Sequence, residues 1–176
     1  MLDVALLVLR LVLAVVFIGH GAQKLFGWFG GHGISGTAAF FEQIGYRPGR
    51  ALAVIGGVAE LGAGILMGLG LLTPLAAAII IAMMVATLAV HAPHGFWAAN
   101  GGFELPFVLA GVAAALAIAG SGTYGLDGYL GLIQPDWVLG VASIALGVVL
   151  GLYALARRQR MLEEAPTVGT ELQQVA

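Results

Sequence analysis

The chain has 176 residues, of which 60% are hydrophobic and 9% charged, whereas soluble domains carry roughly 25% charged residues. So few charges cannot cover the surface of a soluble domain of this length, and a mean hydropathy of +1.01 marks an integral membrane protein. A formal net charge of −2 excludes the concentrated basic face that nucleic-acid binding needs. The lack of cysteine excludes disulfides, thiolate metal sites, iron–sulfur ligation and dithiol–quinone exchange within the chain.

A helix needs about 20 mainly apolar residues to cross the hydrocarbon core. Five spans are predicted on that basis, at about 4–26, 50–72, 74–91, 103–120 and 137–156. The first starts behind Met1-Leu2-Asp3, which has no basic leader region, so it reads as a retained helix and not a cleaved signal. The connection Gly27–Gly49 contains Thr37-Ala-Ala-Phe-Phe-Glu-Gln-Ile44, predicted as a short interfacial helix over about 37–44. Its Phe40, Phe41 and Ile44 would face lipid or the bundle, and Glu42 and Gln43 would face water. No Asp, Glu, Lys or Arg lies between Glu60 and Glu104. That stretch exceeds one span, so Thr73-Pro74 is read as the turn, Thr73 as N-cap and Pro74 as first helical residue. Asn100 is read as the cap of the fourth span. Trp28, Trp97, Tyr124, Tyr129 and Trp137 fall near span ends, where interfacial aromatics belong. The fold class is therefore all-α, a polytopic transmembrane helix bundle over 1–156, followed by a polar C-terminal tail over 157–176.

Lysine and arginine set orientation. With five spans, one face carries Lys24, Arg47, Arg50, Arg157, Arg158 and Arg160, and the other carries Asp3, Asp127 and Asp136 without a basic residue outside the membrane. The expectation is a multi-pass protein of the cell membrane with its N-terminus outside and its C-terminus cytoplasmic.

Ionisable groups within a span are costly unless paired or hydrated. Arg10, Leu13, Phe17, His20 and Lys24 follow a 3-4-3-4 spacing, which places two cations and an imidazole on one helix face, directed into the bundle. At 1.5 Å per residue, His20 lies roughly 10 Å and Lys24 about 4 Å below the cytoplasmic end of this helix, and Glu60 about 15 Å in from Arg50. Small residues around Glu60 (Gly56, Gly57, Ala63, Gly64 and Gly68) permit close helix contact, with the cationic stripe as its nearest partner. His91 and His94 end the third span and Glu104 opens the fourth. His20, Lys24, Glu60, His91 and Glu104 thus form a candidate cluster for a ligand or quinone, with Phe17, Trp28, Phe103 and Phe107 available as apolar walls. At least three of the five are expected to line one cavity. Arg10 and Asp127, in the outer half, form a candidate structural pair. The bland readings stand beside these: Lys24 snorkels to the headgroups, Glu60 belongs to a purely structural ion pair, and His91 and His94 suit a helix C-terminus. The two histidines are spaced for metal or haem ligation, but no CxxCH or metal-type carboxylate repeat accompanies them, so neither metal nor haem is assigned.

Arg10-Leu11 followed by Phe17-Ile-Gly-His20-Gly-Ala-Gln-Lys24-Leu-Phe-Gly27 resembles the first-helix signature of the DoxX family of small membrane proteins. The resemblance continues through Gly36-Thr-Ala38, Phe40-Phe41, Glu60-Leu-Gly62 to Gly70-Leu71, Gly102-Phe-Glu104 and Gly122 to Leu126-Asp127, covering about Leu6 to Leu130. It implies a four-helix membrane core related to the DoxD proteins, which are associated with thiosulfate:quinone oxidoreductase, and a link to sulfur metabolism and oxidative stress. Two departures are the Gly122-Thr-Tyr-Gly125 segment, without the family's usual Pro and Arg, and the additional span at 137–156.

Three functions compete. The first is a membrane subunit of a quinone-linked oxidoreductase. His20 and Lys24 would donate to a quinone carbonyl, Glu60 or His91 would relay protons, and a soluble or membrane partner subunit would supply electrons, so the chain is at most one subunit of an enzyme. The second is a non-enzymatic anchor recruiting soluble partners through the Gly27–Gly49 connection and the tail. The third is a small-solute or proton carrier, disfavoured because no inverted repeat is present.

Overall fold

In the computed structural model the described residues are 1–133 and 135–164. They form seven α-helices: α1 (Leu2–Phe26), α2 (Gly33–Gln43), α3 (Gly49–Leu69), α4 (Thr73–His91), α5 (Glu104–Ala119), α6 (Leu126–Tyr129) and α7 (Trp137–Glu163). Short 3₁₀ turns at Ala92–His94 and Ala98–Asn100 join α4 to α5. Four of the helices are long and apolar enough to cross a membrane: α1, α3, α4 continued to His94, and α7. The chain is a membrane protein. α5 is equally apolar but has 16 residues, about 24 Å of helix against a hydrocarbon core of roughly 30 Å.

Helices α1, α3, α4 and α5 follow one another around a core of Leu13, Phe17, Met67, Ile80 and Leu116, while α7 lies against α4 and α5 and α2 crosses α1 and α3. Glycine sets the closeness of these contacts. A Cβ on Gly21 would stand 2.6 Å from Leu61 N, and one on Gly64 2.7 Å from Ile18 N, so α1 and α3 meet backbone to backbone. α7 repeats the device on its buried residues Gly140, Ser143, Gly147 and Gly151. A Cβ on Gly147 would stand 2.6 Å from Ala78 O, and one on Gly151 2.5 Å from Val85 Cβ. The added helix is therefore seated in the bundle.

Three local expectations are corrected. Thr73 does not cap α4; Leu72, at φ 48°, occupies that position and the carboxylate of Asp127 supplies the acceptor. Asn100 lies in a 3₁₀ turn and Phe103 is the residue before α5. The helix expected to give way to a polar tail at 157 continues to Glu163, because its last turns find contacts on the α2–α3 connection. The rest of the expected tail, 165–176, lies outside the described residues.

Candidate functional site

Lys24 and Glu60 come together first. The α1 stripe turns Lys24 towards α3, and Gly57, one turn before Glu60, has no side chain to hold the helices apart: a Cβ there would meet Leu25 Cγ at 2.7 Å. Lys24 Nζ donates to Glu60 Oε1 in an ion pair, the sole salt bridge among the described residues. Glu60 is 4% exposed, and its second oxygen, Oε2, is buried without a hydrogen-bond partner among the described residues. One oxygen of the carboxylate is thus held and the other is unused.

This pair is part of the lining of a cavity of about 520 Å³, within the roughly 300–1,000 Å³ typical of small-molecule sites. α1 contributes His20 and Lys24; α2 and the residue after it contribute Phe40, Phe41 and Ile44. α3 adds Leu52, Ile55, Gly56 and Glu60, and α4 adds Met83, Ala86, Thr87, Val90 and His91. The remaining wall is Tyr46 from the α2–α3 connection together with Tyr153, Ala154, Arg157 and Met161 of α7. The lining is mostly apolar, and the exposed side chains of His20, Tyr153 and Arg157 mark its rim.

Four of the five ionisable residues singled out from sequence therefore line one cavity: His20, Lys24, Glu60 and His91. Glu104 does not. Its Oε2 accepts from Ala98 N at 2.9 Å, which ties the α4–α5 connection to the first turn of α5. His91 Nδ1 lies 2.8 Å from Gly101 O, which orients the ring, while His94 is exposed and does not line the cavity. The expected walls are also revised. Phe17 is 1% exposed within the core, Phe103 and Phe107 stack with Phe96, and Trp28 stacks with Phe26 and Phe29. The aromatic wall is Phe40, Phe41 and Tyr46, because α2 folds back across the end of the bundle.

Two hydroxyls on the wall are spent on backbone carbonyls: Tyr46 donates to Ala86 O at 3.0 Å and Thr87 to Met83 O at 2.7 Å. The connection carrying Tyr46 is clasped by α7. Arg158 Nε donates to Ile44 O at 2.6 Å, its guanidinium lies 5.9 Å from the centre of the Tyr46 ring, and Arg47 N donates to Met161 Sδ at 3.3 Å. Burial pushes the Tyr46 phenol above its ordinary value, and Arg158 opposes the shift. Sequence reasoning missed Tyr46 and the α7 residues as parts of a site. The spacing of four between Tyr153, Arg157 and Met161 is a legible signal of one helix face, on which Arg157 serves the cavity as well as the orientation.

At the opposite end of the bundle, Arg10 and Asp127 are fully buried but make no direct ion pair. Asp127 Oδ1 accepts from Leu72 N, and Oδ2 from Thr73 N and Thr73 Oγ1, each at 2.8 Å. Arg10 donates to Gly68 O at 3.3 Å and Tyr124 O at 3.1 Å. Each charge instead serves a helix end: the anion takes the unpaired amides at the start of α4, and the cation takes a carbonyl at the end of α3.

Fold and site together define a polytopic helical membrane protein with a ligand-sized cavity at one end of its bundle. The DoxX family profile matches residues 5–92, half of the chain, and the protein belongs to the DoxX family. The matched segment holds His20, Lys24, Glu60 and His91, whereas α5, α6 and α7 lie beyond it. No curated protein and no solved structure matched the chain.

Proposed function

We propose that the protein is the quinone-binding membrane subunit of an oxidoreductase assembly of the cell membrane, linked to sulfur metabolism or to the oxidative-stress response. The observation that carries this reading is the cavity itself: a mostly apolar, aromatic-walled space of about 520 Å³ whose lining includes the Lys24–Glu60 pair. A quinone head is a flat apolar ring with two polar oxygens. It fits walls of Phe40, Phe41 and Tyr46 that also carry the hydrogen-bonding groups of His20, Lys24 and Arg157. Lys24 or His20 donates to one quinone oxygen, and His91 stands between the cavity and the aqueous face as a proton route. The chain has no cysteine, and electrons come from a partner subunit. In this reading the N-terminus is outside, the C-terminus and the cavity end of the bundle are cytoplasmic, and α5 is a fifth span. A purely structural anchor needs no such cavity.

The test is to purify the protein in mild detergent, extract it with organic solvent and assay the extract for quinone, then titrate the stripped protein with a short-chain benzoquinone. Co-purified quinone, or saturable binding weakened at least tenfold by Glu60→Gln in a protein that retains its fold, supports the reading. Stripped protein that binds no quinone returns the molecule to the anchor role.

A further inference from the structure

We infer that the corner of the bundle where α7 meets the α2–α3 connection docks an anionic phospholipid, whose phosphate is held by Arg47, Arg157 and Arg160. Leu146, Leu150, Tyr153, Arg157 and Arg160 follow a 4-3-4-3 spacing and are all exposed. They form one open stripe of α7, beside the glycine face that packs into the bundle. Along the stripe the character changes in the order that a leaflet presents: aliphatic, then aromatic, then cationic. Tyrosine settles at the membrane–water interface. Arg157 stands about 6 Å and Arg160 about 10 Å beyond Tyr153 along the helix, where their long side chains reach a headgroup layer roughly 5–7 Å thick.

Arg47 joins them from the connection. Its backbone N–H donates to Met161 Sδ at 3.3 Å, which sets it beside the turn that runs from Arg157 to Met161. None of these three guanidiniums is spent within the fold. Among the described residues the arginine side chains that hydrogen-bond are Arg10 and Arg158, and the sole salt bridge is Lys24–Glu60. Glu163 and Glu164 lie about a turn beyond Arg160 and pair with none of them. A guanidinium binds phosphate through paired N–H···O bonds. Orientation alone needs basic residues on one side of the membrane, not three unpaired guanidiniums at one corner. A soluble acidic partner would match the charge but not the apolar and aromatic stripe that leads up to it. The inference holds whatever ligand the cavity takes.

The test titrates the intact protein in mild detergent with dioleoyl phosphatidylglycerol or dioleoyl phosphatidylcholine and reads bound lipid by native mass spectrometry. The two lipids share their chains and differ in net charge. Wild-type protein is expected to bind phosphatidylglycerol about tenfold or more tightly. Each of Arg47→Gln, Arg157→Gln and Arg160→Gln should lower that preference by up to about fivefold, the triple variant should abolish it, and Arg157→Lys should keep most of it. Equal affinity of the wild-type protein for the two lipids overturns the inference, and that comparison needs no variant. So does a preference unchanged in a triple variant that unfolds at the wild-type temperature, since the charge that matters then lies elsewhere. Displacement of bound phosphatidylglycerol by soluble hexaglutamate also overturns it, and assigns the patch to an acidic protein instead.

Discussion

Asp127 and Glu60 are both buried carboxylates, and their surroundings give them opposite characters. Asp127 meets three donors at the start of α4, so its role is complete within the fold. Asp127→Asn is expected to lower thermal stability in detergent by about 1–3 kcal/mol, since the amide cannot accept all three donors. Glu60 has one partner and one unused oxygen. Lys24→Met is expected to cost about 3–5 kcal/mol by leaving the carboxylate unpaired, whereas Lys24→Met with Glu60→Leu should recover much of that loss. Thermal unfolding of the two single variants and the double variant measures the difference. A double variant no more stable than Lys24→Met would show that the pair's charges are not what its removal disturbs.

At the scale of elements, α7 has two attachments: its glycine face on α4 and α5, and its last turns on the α2–α3 connection. Gly151→Leu places a side chain where Val85 already sits and is expected to lift α7 from the cavity. Because the sequence has no cysteine, Met83→Cys gives a single reporter on the cavity wall, and Gly151→Leu should raise its maleimide labelling rate several-fold. The second attachment has a pH signature. The Tyr46 phenol is held above its ordinary 10.0 chiefly by burial, so the folded state retains a proton that the unfolded chain releases. That contribution is fully present below about pH 10 and is lost as pH rises through the folded-state value. Alkaline titration of unfolding should show the decline in wild-type protein and a shallower one in Tyr46→Phe.

For the whole molecule, the proposed topology puts Lys24, Arg47, Arg50, Arg157, Arg158 and Arg160 on the cytoplasmic side. Fusions at the C-terminus should then be active with a cytoplasmic reporter and silent with one that requires an exterior compartment. Because the last turns of α7 lie beside the α2–α3 connection, the opposite result would put all six basic residues outside and overturn the orientation. With 16 residues, α5 crosses in this topology with the bilayer thinned locally around it, at a modest cost per ångström of mismatch.

Composition and hydrophobic run length by themselves determined the membrane class, the all-helical fold and the approximate place of the long helices, because the bilayer imposes apolar length on each span separately. The 3-4-3-4 stripe of α1 marked Arg10, His20 and Lys24, since a charge in a span is conspicuous whatever its neighbours. Only the tertiary structure decided which of these charges meet. Lys24 finds Glu60 because glycines on α1 and α3 bring the backbones together. Arg10 and Asp127 make no direct pair because Asp127 is taken up by three donors at the start of α4 and Arg10 by the carbonyls of Gly68 and Tyr124. Glu104 leaves the cluster because a local amide, Ala98 N, is within reach of its carboxylate. The aromatic wall and the part played by α7 are non-local as well: Tyr46, Tyr153 and Arg157 are ordinary interfacial residues in the sequence. They line one cavity because α2 folds back over the bundle and α7 packs against α4.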